Sequence, residues 1–175
     1  CKMELDDNSL FRHPEFKELK EQLVTERERE AFFIGVSYVE LEGDVALIAS
    51  GAGLAMASLD MMRQAGMRPA NFLDTGGGIS RELMEGAVRF VLAPEEIRGV
   101  LINLYGGINP MVEAAEGIVA ALAQMKQPKP MVVKLVGNRQ EEAWEILEEL
   151  GIPVVKTVHT EEAARLLAQV LERTS

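Results

Sequence analysis

Three short runs in this chain combine residue types and spacing that could hold an anion. They are Ser50-Gly51-Ala52-Gly53, Gly76-Gly77-Gly78 and Gly106-Gly107-Ile108-Asn109. Each follows an apolar run and precedes a stretch with helical periodicity. Such a junction aims the first free N–H groups of a helix beyond the strand end, where the helix dipole also favours negative charge. Glycine there lets the backbone come close to a ligand with no Cβ in the way. Turn geometry by itself explains glycine at any one such junction, so the argument needs all three runs to meet at one place. In the third run, Asn109-Pro110 suits a helix start, with Asn as N-cap and Pro at the first helical position.

Other chemistries leave no trace. No GxGxxG opens the first β-α unit, so a dinucleotide is not expected. GxxxxGK[ST] and GxSxG are missing, which sets aside a P-loop and a hydrolase elbow. His13 lies in the charged N-terminal stretch and His159 before the last helix, and neither has the Ser or Cys neighbours of a nucleophilic set. No catalytic residue is assigned to this chain. It carries an anion cradle without a nucleophile, so a partner is expected to supply the reactive group.

The elements that position these runs follow from periodicity. Residues 1–35 are dense in charge, and Pro14 could open a surface helix running to about Arg29. Asp6-Asp7 reads as a turn or cap, because a pair of adjacent acids is weak evidence for a metal site. From Val36 the pattern changes. SYVELEG alternates, as an edge strand with one wet face does. VALIAS, NFLDT, the run from Val100 to Tyr105, MVVKLVG and PVVKTV are then five short apolar strands, each followed by a helix. Asn138 and Thr160 stand where the last two helices need N-caps. Successive β-α units imply a parallel sheet covered on both faces. The expected fold is therefore α/β: a flavodoxin-like, doubly wound, five-stranded parallel sheet with strand order 2-1-3-4-5, one extra edge strand and an N-terminal helical or extended connector. The expected division is a connector over 1–35 and one domain over 36–175. In that order the sheet reverses between strands 1 and 3, where ligands bind in open α/β sheets. The three glycine runs all fall around that crevice.

Composition narrows the partners. The 175 residues suit one domain, and 47% hydrophobic content suits a packed core. A formal net charge of −10 argues against a nucleic-acid surface. No apolar run approaches the roughly 20 residues of a membrane helix. The lone cysteine, Cys1, allows no disulfide within the chain, which suits a reducing compartment. The chain opens on Cys and not Met, and is expected to continue a longer protein upstream.

The run DDNSLFRHP (Asp6–Pro14), GAGLAM at 51–56, PANFLDTGGG at 69–78 and NLYGGI at 103–108 together resemble the C-terminal CoA-ligase domain of the succinyl-CoA synthetase beta subunit. The motifs occur in family order, and the resemblance covers nearly the whole chain. It implies that residues 1–35 are the connector from a missing ATP-grasp domain and that 36–175 are the ligase domain. It implies an alpha-subunit partner that binds coenzyme A and carries a phosphorylated histidine, and a reaction of a small dicarboxylate with CoA and ATP or GTP. Nucleotide and Mg2+ would be bound outside this chain, which alone should not turn over. The location implied is a bacterial or archaeal cytoplasm or, failing that, a mitochondrial matrix. Family substrate contacts carry over to Ser50, where the family has Asn, and to Gly107-Ile108-Asn109, where it has Gly-Ile-Val. Gly106 and Gly76, Gly77 and Gly78 complete the expected substrate or phosphate site, with no metal ligand among them. Asn109 could read a hydroxyl on a malate-like acid, or could cap its helix. A malate- or citrate-activating relative and a non-catalytic flavodoxin-like module stay open as alternatives.

Overall fold

The computed structural model describes residues 12–13 and 25–174. The expectations for Cys1, for Asp6-Asp7 and for a helix opened by Pro14 lie outside the described residues. The chain runs α1 (Glu26–Ile34), β1 (Ser37–Glu40), β2 (Val45–Ala49), α2 (Ala52–Gln64), β3 (Asn71–Asp74), α3 (Arg81–Leu92), β4 (Gly99–Gly106), α4 (Met111–Ala123), β5 (Met131–Gly137), α5 (Gln140–Glu149) and α6 (Thr160–Thr174). None of these helices is long and apolar enough to cross a membrane.

The sheet has the order β1-β3-β2-β4-β5, with β1 antiparallel to β3 and the other pairs parallel. Strand order reverses at β2, so the switch point lies between β2 and β4. All five residues of β2 are buried, because both faces are covered. Val45, Leu47 and Ala49 pack against α2 and α6 through Ala55, Leu59, Met62, Ala163 and Leu167. Ala46 and Ile48 face the other layer, where α3, α4 and α5 contribute Met84, Val88, Ile118 and Leu147. Alternate residues of one apolar strand thus feed two cores, each large side chain contributing about 1.5–3 kcal/mol on burial.

The edge strand expected from SYVELEG is β1. The helix before it differs from the reading of residues 1–35: its described part starts at Glu26, behind a Thr25–Glu28 capping box, and runs past Arg29 to Ile34. Arg27 fixes it in place. Its guanidinium donates to Phe90 O at 3.1 Å and lies 4.4 Å from the centre of the Phe90 ring.

The fifth parallel strand does not form. PVVKTV contributes only an isolated bridge, Val133 to Val154. Val133 N–H donates to Pro153 O at 3.0 Å and Val155 N–H donates to Val133 O at 2.9 Å. Pro153 has no N–H to extend the ladder, and the chain bends at Thr157-Val158 before α6. The five-stranded sheet is therefore completed by the antiparallel edge strand and not by a fifth parallel one.

Two helices of the second layer approach closely at Gly117 of α4. A Cβ there would lie 2.4 Å from Arg81 O and 2.7 Å from Met84 Cβ of α3. Glycine to alanine inside a helix normally stabilises by up to about 1 kcal/mol. Here overpacking wins, and Gly117→Ala is expected to destabilise by about 1–3 kcal/mol. Urea unfolding would show it as a lowered midpoint, and an unchanged or raised midpoint would contradict the α3–α4 contact.

Candidate functional site

The three glycine loops meet at the carboxyl edge of the sheet and are tied to one another pairwise. Ser50, just after β2, joins its loop to β4: its Oγ accepts from Tyr105 N–H at 2.8 Å and donates to Tyr105 O at 3.0 Å. Asp74, the last residue of β3, joins the first and second loops. Its Oδ1 accepts from Gly51 N–H at 2.6 Å and from Gly76 N–H at 2.7 Å. Asn109 joins the second and third loops, with Nδ2 donating to Gly77 O at 2.5 Å. Ser50, Gly76, Gly77, Gly106, Gly107, Ile108 and Asn109 are thus brought into one knot, with Gly78 following in the second loop. Asn138 braces it from the β5 side: its Nδ2 donates to Ile108 O at 3.1 Å, and its N–H to Gly106 O at 3.0 Å.

Two expectations about caps are corrected here. Asn109 is not the N-cap of α4; Pro110 holds that position, extended at φ −64° and ψ 128°, with no side-chain cap. The Asn109 amide is drawn instead to Gly77 across the crevice. Asn138 does not cap α5 either. Arg139 stands there in the left-handed region at φ 55°, and the side chain of Gln140 accepts from Gly137 N–H at 2.9 Å. Asn138 O meanwhile accepts from Met111 N–H at 2.8 Å, so the first amide of α4 is already in use.

These bonds narrow which amides can meet an anion. The start of α3 is closed, because Ser80 Oγ accepts from Leu83 N–H at 3.2 Å. α2 differs: its N-cap is Gly51, at φ 94° and without a side chain, so nothing caps the first turn. Only glycine holds that backbone without strain. Among the described residues no acceptor is bonded to the leading N–H groups of α2. Among the described residues nothing accepts from the N–H of Gly107 or Ile108 either. Gly107 has open space where a Cβ would be, while Tyr105 and Ile108 are exposed beside it. Two sets of backbone donors without an acceptor among the described residues thus follow β2 and β4, the strands on either side of the switch point. His13 and His159 are exposed outside this knot.

Below the loops lies a polar network that reading the strands as plain apolar runs did not single out. Asp74, Ala49, Asn103 and Lys134 occupy one row across β3, β2, β4 and β5. Asn103 and Lys134 are buried. Lys134 Nζ donates to Asn103 Oδ1 at 3.1 Å. Asn103 Nδ2 donates to Ser58 Oγ of α2 at 2.8 Å and to Thr160 Oγ1 of α6 at 3.1 Å. Ser58 Oγ donates to Leu54 O at 2.7 Å. One polar residue inside each otherwise apolar strand was the available signal. Burial pulls the Lys134 ammonium below its ordinary pKa, an effect partly offset by the charge of Glu161.

A hollow of about 360 Å³ lies away from the knot, lined by Ile34, Gly86, Phe90, Ala93 and Met125. It sits at the far ends of α3 and α4, on the amino edge of the sheet, and its charged lining residues are Glu30 and Arg89.

Two outcomes follow. Asp74→Ala removes the acceptor of two charge-assisted bonds and is expected to cost about 2–4 kcal/mol, read as a shifted urea midpoint. Lys134 has a lowered folded pKa, so between that value and about 10.5 the unfolded chain holds the proton more firmly. Wild-type stability relative to Lys134→Met should therefore rise with pH across that window, and a flat difference would contradict the buried ammonium.

Comparison with known proteins agrees with this architecture. Residues 48–168 match a family model described as CoA-ligase. The succinate–CoA ligase [ADP-forming] subunit beta of Ignicoccus hospitalis is 43% identical over 164 residues, which is 94% of this chain and 43% of that protein. The succinate–CoA ligase [GDP-forming] subunit beta of Thermus thermophilus is 40% identical over 172 residues, 98% of this chain and 45% of the relative. The chain thus spans less than half the length of these relatives. A solved structure of ATP citrate lyase from Methanothrix soehngenii, in complex with citrate and coenzyme A, superposes with a TM-score of 0.76 at 17% identity, over 94% of this chain and 49% of that one. At that identity the likeness concerns the fold.

Proposed function

Given that the chain belongs to the CoA-ligase family, we propose that it is the ligase domain of the beta subunit of an NTP-dependent acid–CoA ligase. Residues 36–175 would form that domain and residues 1–35 its connector to an ATP-grasp domain. The substrate is a small dicarboxylate, succinate or a related acid, and the complex is cytoplasmic. An alpha subunit is the partner: it binds coenzyme A and supplies a histidine that carries the phosphoryl group from ATP or GTP. A carboxylate oxygen of the acid takes that phosphoryl group, giving an acyl phosphate and freeing the histidine. The CoA thiolate then attacks the acyl carbon, the C–O bond to phosphate breaks, and acyl-CoA and inorganic phosphate leave.

The observation that carries this reading is the pair of donor sets on the β2–β4 seam: the uncapped start of α2 and the free amides of Gly107 and Ile108. Both intermediates and product are anions, and preorganised amides stabilise them without reorganising. Ser50 positions the two sets, since its hydroxyl holds β2 to the backbone of Tyr105. Asn109 is bonded to Gly77, which favours a loop-bracing role over reading a hydroxyl on the acid. Nucleotide and Mg2+ belong to the rest of the complex. A malate- or citrate-activating relative would use the same donors with a different acid.

Co-expression of the full-length beta subunit with its alpha partner tests the proposal. A stable complex that forms acyl-CoA from a dicarboxylate, CoA and NTP is expected, and a panel of acids identifies the substrate. Failure to associate would overturn it in favour of a binding module. Gly107→Val fills open space, so the melting temperature should hold. Shielding the loop amides should nevertheless lower kcat/KM on the order of 100-fold. Full activity in that variant would remove the third loop from the site.

A further inference from the structure

We propose that Lys134 is the buried counter-charge of the anion cradle, a positioning and charge-stabilising residue that does not itself touch the ligand. The inference rests on the reading of the β2–β4 seam as an anion site. Lys134 is 3% exposed and in the middle of β5. Among the described residues its one hydrogen-bond partner is the neutral amide of Asn103, which leaves two ammonium N–H groups over. Among the described residues no carboxylate reaches it as an ion pair: Asp44, Glu85, Glu142 and Glu148 pair with other cations, and Glu40 with Arg27. Glu161 faces it from the first turn of α6 but is exposed to water. A chain with net charge −10 has thus buried a lysine that no acid among the described residues meets as an ion pair, Glu161 acting on it only from the solvent side.

Its position explains what could balance the charge. The Lys134 row includes Asn103, two residues before Tyr105, whose backbone holds Ser50 at the cradle. One pleat of about 6.6 Å separates those two levels, which puts the ammonium on the order of 10 Å from a ligand at the loop amides. The intervening material is packed protein, so salt screens the interaction little. A unit charge at that distance, through an effective dielectric of about 20, changes anion affinity on the order of tenfold. The same network also steadies the donors: Asn103 passes from Lys134 to Ser58 in α2, and Ser58 bonds Leu54 O in the first turn of that helix. The uncapped start of α2 and the ammonium below it give a positive region that Glu161, exposed at the start of α6, offsets only in part, and an incoming anion would complete the balance.

The test uses the assembled two-subunit complex with inorganic phosphate as probe. Binding is followed by 31P NMR, and the part lost in Gly107→Val is assigned to the cradle. Lys134→Met and Lys134→Gln remove the charge, and Gln keeps a donor for Asn103, so one variant serves if the other fails to fold. Lys134→Arg keeps the charge. Supporting the proposal, both neutral variants should weaken cradle-bound phosphate about tenfold, while Arg stays within about threefold of wild type and coenzyme A affinity holds. Wild-type affinity in the neutral variants would overturn it and leave the proposed function standing. Absence of any cradle-bound phosphate in the wild type would overturn both. Turnover failure with the tenfold effect intact would sink the ligase reading while the anion site and its counter-charge survive.

Discussion

The carboxylate of Asp74 is the contact on which the carboxyl edge depends. It receives the amides of Gly51 and Gly76 at 2.6 and 2.7 Å, closing the first two loops onto one oxygen. By accepting from the Gly51 amide it also ties the N-cap of α2 to the end of β3. Ser50 and Asn109 then extend the knot to β4, and each uses side-chain atoms on backbone of a neighbouring loop. The loops are exposed, so their order comes from these bonds and not from burial. That is the reason a glycine-rich edge can hold fixed donors at all.

Beneath the knot the sheet does two separate tasks with one pattern. Alternate residues of β2 enter the two cores. One row interrupts that pattern with Asp74, Asn103 and Lys134, and lies directly under the loops. Polar groups cost free energy in such a place unless they are bonded. Here each has a partner, and no buried side-chain nitrogen or oxygen among the described residues is left without one. The row couples the two helices of the first layer, α2 and α6, to strand β4. A displacement of either helix start would break bonds to Asn103, so the donor end of α2 is held from below as well as from the loops.

The chain corresponds to one part of the relatives it matches. It spans under half of the succinate–CoA ligase beta subunits it matches, and their remaining length can hold functions that these residues lack. An acidic chain can still bind anions when its donors are backbone amides, since amides carry no formal charge and do not alter the net balance.

The order of elements, the doubly covered β2, the edge strand and the meeting of the three glycine runs were all determined by sequence alone. Each rests on a local rule: the period of apolar residues, the punctuation by glycine and proline, and the handedness of β-α-β connections. Tertiary structure alone decided the rest. Pro153 ends the fifth parallel strand at a single bridge because the missing amide matters only once a neighbour offers its carbonyl. Asn109 leaves the helix cap because Gly77 O lies within reach across the crevice, a residue 32 positions away. Asn103 and Lys134 look like isolated interruptions in separate strands, 31 positions apart, until the parallel register places them side by side. Side chains choose partners by distance in space, and the sequence lists only distance along the chain.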